Sequence, residues 1–411
     1  MNPLYNAVVY VVWFLSTYYV VLLLLVLLAN RNRLHDRPSR MTGRPRVSII
    51  VPAYNEEEDI GRTIASLKRL AYAPLEFVIV NDGSTDRTGE AVRAAVSGDS
   101  RFLFIDRKEN RGKAVSLNEA IARCKGEFVA CMDADSEVES DVLEKVLPFF
   151  EDPRMGAVTI TVEVRGPKTF LQKVIDIEYI IGLSLFLKLF SFFDSIFVTP
   201  GPFSIYRKSV LHAIGCFDAG NITEDLEIAY RIQKGGYRIA NCLDARVFTA
   251  TPPTFRGTYV QRRRWHLGAL QTVMQHRDVL FNGRMGMFGF VIPLNFLLAF
   301  SGLLLFYSSL YLLLHRLWEQ LHYLSYTGFN IQERLLQFEI DLLSTGTITL
   351  VGVFAFAFTI VLMFLGLRAA GKSLSKKRVG MLGFPFMFFL YQVFWTGAFL
   401  AALSKRRIRW R

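Results

Sequence analysis

The chain has 411 residues, 52% of them apolar, with 35 phenylalanines, a positive mean hydropathy and a formal net charge of +12. That composition excludes a single ordinary soluble domain and leaves length for a globular domain plus membrane spans. The positive excess does not call for nucleic acid: most of it flanks the apolar runs, where it sets topology and meets anionic lipid headgroups, and no basic helix interleaved with aromatics offers a nucleic-acid groove.

The first apolar run, Val8 to Leu28, is long enough for a helix that needs about 20 residues to cross hydrocarbon. Residues 1–30 are therefore expected to be a transmembrane helix. A cleaved signal peptide is the alternative, although the run exceeds a usual h-region and no A-x-A-like site precedes the basic stretch. A basic linker over 31–46 follows, with Arg31, Arg33, Arg37, Arg40, Arg44 and Arg46. The positive-inside rule then puts the polar middle of the chain on the cytoplasmic side of the plasma membrane.

From Val47 the pattern alternates between continuous apolar strands and helices: "VSIIVPA", a helix from Glu56 to Leu70, "LEFVIVND", a helix from Thr85, a strand near "FLFID", a helix from Lys113 to Cys124, then "EFVACMDAD". Such strands imply an α/β fold whose parallel-rich sheet is covered on both faces. Ligands bind such sheets beyond the carboxyl ends of the strands, where Asp82, Asp133 and Asp135 fall. These residues could simply cap the following helices. Carboxylates converging on one crevice would instead repel one another unless a cation lay between them, and Mg2+ or Mn2+ holding a diphosphate is the usual occupant. Neither GxxxxGK[ST] nor a strand-following GxGxxG is present. Cations from elsewhere must then meet the diphosphate, and Arg111, Lys113 and the run "TYVQRRRWHLGA" supply them.

Residues 168–193, with Lys173, Asp176, Glu178 and Lys188 among apolar neighbours, are too charged for a span. They suit a helix in the headgroup plane or, alternatively, a buried helix of the globular domain. Cys124, Cys131, Cys216 and Cys242 form no CxxC pair and are expected to be reduced, buried thiols. The globular domain is expected to end near 282. In the segment 283–404, Met285–Leu314, Ile348–Leu367 and Met381–Leu403 are each long enough to span. An acidic outer loop at Arg316–Asp341 and an inner loop with Arg368, Lys372, Lys376, Lys377 and Arg378 would separate them. Four spans leave the basic tail 405–411 outside, against the same rule, so the count is open by one.

The order Asp82, Asp133-Ala134-Asp135, Thr223-Glu224-Asp225 and Gln261-x-x-Arg264-Trp265 resembles the D, DxD, TED, QxxRW series of the membrane-embedded family 2 glycosyltransferases, which include cellulose, chitin, hyaluronan and poly-N-acetylglucosamine synthases. A lone DxD is common; four motifs in order, flanked by spans, are specific. The resemblance covers Val47 to Trp265, and the later spans match in placement only.

It implies a GT-A fold, a nucleotide-diphospho-sugar transferase domain over 47–282 inserted between transmembrane helices. Asp82 and Asp133 would contact the nucleoside of a UDP-sugar, Asp135 would ligate the metal, and Lys113, Gln261 and Arg264 would hold the diphosphate. Asp225 would be the general base of a single inverting displacement. On the acceptor side stand Trp265, Glu224, Gly201, Pro202 and Tyr206. Trp265 could alternatively be an interfacial anchor, and Arg262 and Arg263 a lipid-facing basic patch.

"NITEDLEIAYRIQKGGYRIA" is similar to poly-N-acetylglucosamine synthases and "GPFSIYR" to chitin and hyaluronan types, so the donor is expected to be a UDP-hexosamine, with N-acetylglucosamine (GlcNAc) as the sugar. The resemblance implies a processive synthase passing its polysaccharide through a multi-pass membrane region. The alternatives are a transferase adding one sugar to a polyprenyl phosphate or glycolipid, which generally lacks QxxRW, and a non-catalytic membrane scaffold. Any regulation would come from lipid or an accessory subunit of unknown identity.

Overall fold

The computed structural model describes residues 3–36, 38, 41–326 and 347–404. They form two compact units: residues 30–293 with those from 366 onward, and residues 1–29 with the described part of 294–365. Helix α1, Pro3–Ala29, opens the chain and is apolar nearly throughout.

The larger unit is built on one eight-stranded sheet. Its first half is β1 (Val47–Ala53), α2 (Ile60–Lys68), β2 (Leu75–Asp82), α3 (Thr88–Val96), β3 (Phe102–Arg107), α4 (Lys113–Arg123) and β4 (Phe128–Cys131). All seven residues of β1 are buried, as expected of a strand covered on both faces. Next come β5 (Ser136–Val138), α5 (Val142–Val146), β6 (Met155–Val164), α6 (Phe170–Glu178), a π-helical stretch Tyr179–Leu185, and α7 (Phe186–Ser191). The unit continues through β7 (Ser204–Arg207), α8 (Lys208–Ala213), α9 (Glu224–Lys234), β8 (Arg238–Thr249) and α10 (Phe255–Gln275).

The strand order is β3-β2-β1-β4-β7-β6-β8-β5. The first four strands are parallel. β7 then runs antiparallel to both β4 and β6, β6 pairs parallel with β8, and β5 closes the sheet antiparallel to β8. The sheet is therefore mixed, with its parallel half at the amino-terminal end of the domain. β2 lies on one side of β1 and β4 on the other, so the direction of chain progression reverses there. The crevice beyond the carboxyl ends of β1 and β4 is the topological switch point, and Asp133 and Asp135 follow β4 directly into it.

Four further helices complete the described chain: α11 (Phe288–Tyr326), α12 (Thr347–Ala369), α13 (Leu374–Gly383) and α14 (Met387–Leu403). Among the described residues, Asn6–Ala29, Phe288–Tyr326 and Leu374–Leu403 are long and apolar enough to cross a membrane, and Phe356–Ala369 is a shorter apolar helix. All four apolar stretches expected from sequence are thus helical, with two differences. α11 runs on to Tyr326, a length of about 58 Å, because the segment expected to be the start of an outer loop, "RLWEQLHYLSY", is rich in good helix formers. The last stretch is divided by a 3-10 turn, Phe384–Phe386, at Pro385. The rest of that loop and the tail 405–411 lie outside the described residues. Within the smaller unit, the Tyr19 hydroxyl donates to Asn295 Oδ1 at 2.7 Å.

The charged segment α6–α7 is buried between the sheet and the carboxyl-terminal helices. Val164 N–H donates to Asp176 Oδ1 at 3.2 Å and Val162 N–H to Ser184 Oγ at 3.1 Å, while Val174 packs with Met387 and Phe394. Its two carboxylates are paired: Lys377 binds Asp176, and Arg262 binds Glu178 at 2.7 Å. All four cysteines are free. Cys124, Cys131 and Cys242 are buried as expected, whereas Cys216 is only half-buried in the turn after α8, at a positive φ.

Candidate active site

The site is assembled from the ends of β2 and β4, the starts of α4 and α9, the loop before β7, and α10. Asp82, the last residue of β2, is wholly buried and does not face open space. Its carboxylate accepts from the backbone N–H of Arg111 (3.0 Å) and of Gly112 (2.8 Å) and from Arg107 Nη1 (2.9 Å). It thereby fixes the turn that launches α4 and with it Lys113, the first residue of that helix.

Lys113 bridges two motifs. Its Nζ lies 2.6 Å from Asp133 Oδ1 and 2.9 Å from Glu224 Oε1, joining the DxD end of β4 to the start of α9. Desolvation opposes the ammonium charge, but Asp133, Glu224 and Asp225 outweigh it and hold the Lys113 pKa well above its ordinary value. Gly201 passes so close that a Cβ there would lie 2.8 Å from Lys113 Nζ and 2.9 Å from Asp133 Oδ2, so any side chain would displace the bridge.

Asp225 sits half-buried beside this bridge. Desolvation, then the adjoining Glu224 carboxylate, push its carboxyl up to about 6 against the downward pull of Lys113 and Arg264. Its backbone carbonyl accepts from Thr199 N–H (3.0 Å) and Thr199 Oγ1 (2.7 Å), and Thr199 Oγ1 accepts in turn from the Tyr206 hydroxyl (2.9 Å). Tyr206 is therefore buried behind the site, where through Thr199 it braces the loop before β7 against the start of α9, which carries Asp225. Pro202 stands in that same loop, between Gly201 and the start of β7.

α10 brings the last motif. At Gly268 it comes within 2.2 Å of Thr223 Oγ1, measured from where a Cβ would be, a closeness that only glycine permits. Farther along, His276 Nε2 meets the fully buried Glu227 at 2.9 Å. Both contacts hold α10 against α9 and set Arg264 where its charge reaches Asp225. No ion pair engages Arg264 among the described residues, and Gln261 Oε1 is buried without a hydrogen-bond partner. Each is a polar group that the surrounding protein leaves without its usual partner. Trp265 is half-buried, with Tyr179 stacked 6.2 Å away and Arg262 4.1 Å over its ring.

Asp135 is aimed at the same crevice. Both of its side-chain hydrogen bonds, from Ser136 Oγ (3.0 Å) and Thr249 Oγ1 (3.1 Å), fall on Oδ1. Desolvation and then the Asp133 charge raise its carboxyl to about 6. Among the described residues no three side chains form a metal cage of their own. The donor set is that of a cation held by one or two carboxylates and completed by phosphate and water, which is how Mg2+ and Mn2+ are bound beside nucleotides, so the residues present fit such an ion.

One carboxylate was missed in the sequence. Glu56, just past β1, is driven up to about 8 by desolvation, then by Asp135, Asp59, Asp133 and Asp86. The rule that singled out Asp82 and Asp133 applies equally to "AYNEEED" at the end of β1 and would have found it. Arg262 corrects an expectation in the other direction: it is 2% exposed and paired to Glu178, not turned to lipid, because its neighbours on α6 and α10 enclose it.

Residues 48–215 match the family described as glycosyl transferase family 2. The chain carries a family 2 glycosyltransferase domain. The poly-beta-1,6-N-acetyl-D-glucosamine synthase of Staphylococcus aureus (strain COL) is 31% identical over 230 residues, 56% of this chain and 56% of its own. The synthase of the same description from Staphylococcus epidermidis is 32% identical over 230 residues, again 56% of each chain. This chain thus spans about half the length of the curated relatives it matches. In fold, the family 2 domain and its helices align with the mannosyltransferase PcManGT from Pyrobaculum calidifontis, solved in complex with GDP-Man and Mn2+. The TM-score is 0.60 at 21% identity, covering 97% of this chain and 100% of that one. The domain has the GT-A fold, with apolar helices at both ends of the chain.

Proposed function

We propose that this chain transfers N-acetylglucosamine from UDP-GlcNAc, with inversion, to the growing end of a β-linked polysaccharide, and passes the product into its membrane region. The observation that carries this reading is the Lys113 bridge, which draws the DxD carboxylate of Asp133 and the TED carboxylate of Glu224 to one point, with Asp225 beside it under the charge of Arg264. The relatives described as poly-beta-1,6-N-acetyl-D-glucosamine synthases support GlcNAc as the sugar and a polymer as the product.

In this reading Asp225, with a carboxyl near 6, is ionised at neutral pH and basic enough to take the proton of the acceptor hydroxyl as that oxygen attacks the anomeric carbon. Arg264 and Gln261 hold the diphosphate as it departs, a charge-assisted contact that strengthens as negative charge develops. Asp82 acts through the turn it fixes, setting Lys113 and the Arg111–Gly112 backbone at the nucleotide. Asp135, with Asp133 beside it, would hold Mg2+ or Mn2+, which when bound neutralises the diphosphate and makes it a better leaving group. Trp265 and the Gly201–Pro202 loop receive the acceptor sugar, the indole face by stacking. The arginines after α1 favour a cytoplasmic domain on a multi-pass membrane protein.

The test is UDP release by the full chain in lipid with Mg2+ or Mn2+ across a panel of UDP-sugars, with the product sized. The reading expects UDP-GlcNAc to turn over into a long polymer. A single-sugar lipid product would replace it with the glycolipid alternative, and release from another donor alone would overturn the choice of sugar.

A further inference from the structure

Arg262 lies inside the QxxRW motif, yet its side chain turns away from the donor pocket. It is among the largest fully buried side chains in the protein. Its Nη2 donates to Glu178 Oε2 at 2.7 Å, and the other oxygen of Glu178 accepts from the Tyr391 hydroxyl of α14. The guanidinium carbon stands 4.1 Å from the centre of the Trp265 ring and 5.3 Å from that of Tyr179, whose own ring is stacked on the indole at 28°. Desolvation opposes the Arg262 charge, and Glu178 together with Tyr179 and Tyr391 more than compensates.

A side chain needed only to fill this volume would be apolar, since buried ion pairs commonly gain nothing in stability over hydrophobic replacements. What arginine adds is a flat, permanently charged face with hydrogen-bonding edges: it can stack on an indole while its rim is held by a carboxylate. The local backbone is arranged for that contact. The helix through α6 widens into a π turn at Tyr179, immediately after Glu178, and this places both residues on Arg262 and Trp265.

We propose that Tyr391 and Glu178 hold Arg262 as a positioning residue that fixes the indole of Trp265, so that α14 sets the acceptor platform of the site. The proposal rests on the reading of Trp265 as the acceptor-stacking residue. Through it, the carboxyl-terminal helix, which shares no residue with the donor pocket, tunes acceptor engagement and leaves donor binding alone.

The test uses the full chain in lipid nanodiscs, labelled with 5-fluorotryptophan, with the Trp265 fluorine resonance assigned by its loss in Trp265→Phe. The variants are Glu178→Gln, Tyr391→Phe and Arg262→Lys, assayed with UDP-GlcNAc and a β-1,6-linked GlcNAc pentasaccharide. Each is expected to shift or broaden the Trp265 resonance while the other tryptophan resonances stay in place. Each is also expected to raise the acceptor KM about 3- to 10-fold, with the UDP-GlcNAc KM within about twofold of wild type. In the Trp265→Ala background the same substitutions should have no further effect on acceptor KM. A Trp265 resonance unmoved in Glu178→Gln and Arg262→Lys overturns the positioning role, even where Trp265→Ala itself weakens acceptor binding. A resonance that moves while acceptor KM is unchanged in every variant, Trp265→Ala included, supports the positioning of the ring and overturns the acceptor reading beneath it. A rise in donor KM equal to that in acceptor KM, or loss of all tryptophan resonances together, marks a general structural role and overturns the proposal.

Discussion

Two clusters of charge are buried in the larger unit, and they are built on opposite plans. Beneath α6 every carboxylate has a cation: Asp176 meets Lys377, Glu163 meets Lys372, and Glu178 meets Arg262. At the switch point the carboxylates outnumber their cations. Lys113 serves Asp133 and Glu224 together, while Asp135 and Glu56 have no ion-pair partner among the described residues. The consequence is written in the carboxyls, with Asp135 and Asp225 raised to about 6 and Glu56 to about 8. A neutralised cluster holds helices together; an under-neutralised one keeps its carboxyls raised, and in the function proposed above it receives a cation and a proton.

The contrast can be broken from either side. The largest effect is expected at Asp135→Ala, which should lower turnover by about 10³-fold or more while far-UV circular dichroism stays unchanged, since the residue is in the pocket and not in the hydrophobic core. Retained turnover would show that its carboxylate serves only Ser136 and Thr249. Next comes Lys113→Met, expected to cost about 10²-fold in kcat/KM. Because Lys113 pulls the Asp225 carboxyl down, its removal should also move the acid limb of the pH–rate profile to higher pH. In the unaltered protein that limb should lie near pH 6: below it Asp225 is protonated and cannot accept a proton, so kcat/KM rises through that region and then levels off. A profile flat from pH 5 to 8 would argue for a different base. The smallest effect on chemistry is expected in the paired cluster. Lys377→Met strands Asp176 without its cation and should cost about 3 kcal/mol of stability, seen as a lower unfolding midpoint. The turnover of molecules that remain folded should be unchanged.

The parallel half of the sheet was legible in the sequence because each of its strands is a continuous apolar run ending in turn chemistry, and β1 and β2 fall where "VSIIVPA" and "LEFVIVND" put them. The other half was not. β7 has only four residues and sits in a Gly- and Pro-containing loop, and its place between β4 and β6 depends on antiparallel partners distant in sequence. The motif order found Asp133, Glu224, Asp225 and Arg264, the search for cations found Lys113, and these five do gather at one place. What it could not convey was direction. Asp82 and Tyr206 point into the protein, where they brace the turn before α4 and the loop before β7, and Arg262 faces Glu178. Motif spacing marks which residues gather, whereas the side on which each projects is set by helices and turns packed from elsewhere in the chain.

The central claim is that Asp225 is the base of an under-neutralised site, and Asp225→Asn tests it most directly when UDP binding and UDP-GlcNAc turnover are measured on the same sample. The sign of its linkage gives an independent check. A carboxyl raised in the folded state contributes stability below its unfolded pKa and loses that contribution as pH rises through about 6, so replacing it with a neutral amide should raise the unfolding midpoint at pH 8. The account predicts UDP affinity within about twofold of wild type, turnover down by about 10³-fold, and a protein that is more stable at pH 8. Turnover near the wild-type rate with intact UDP binding would contradict it.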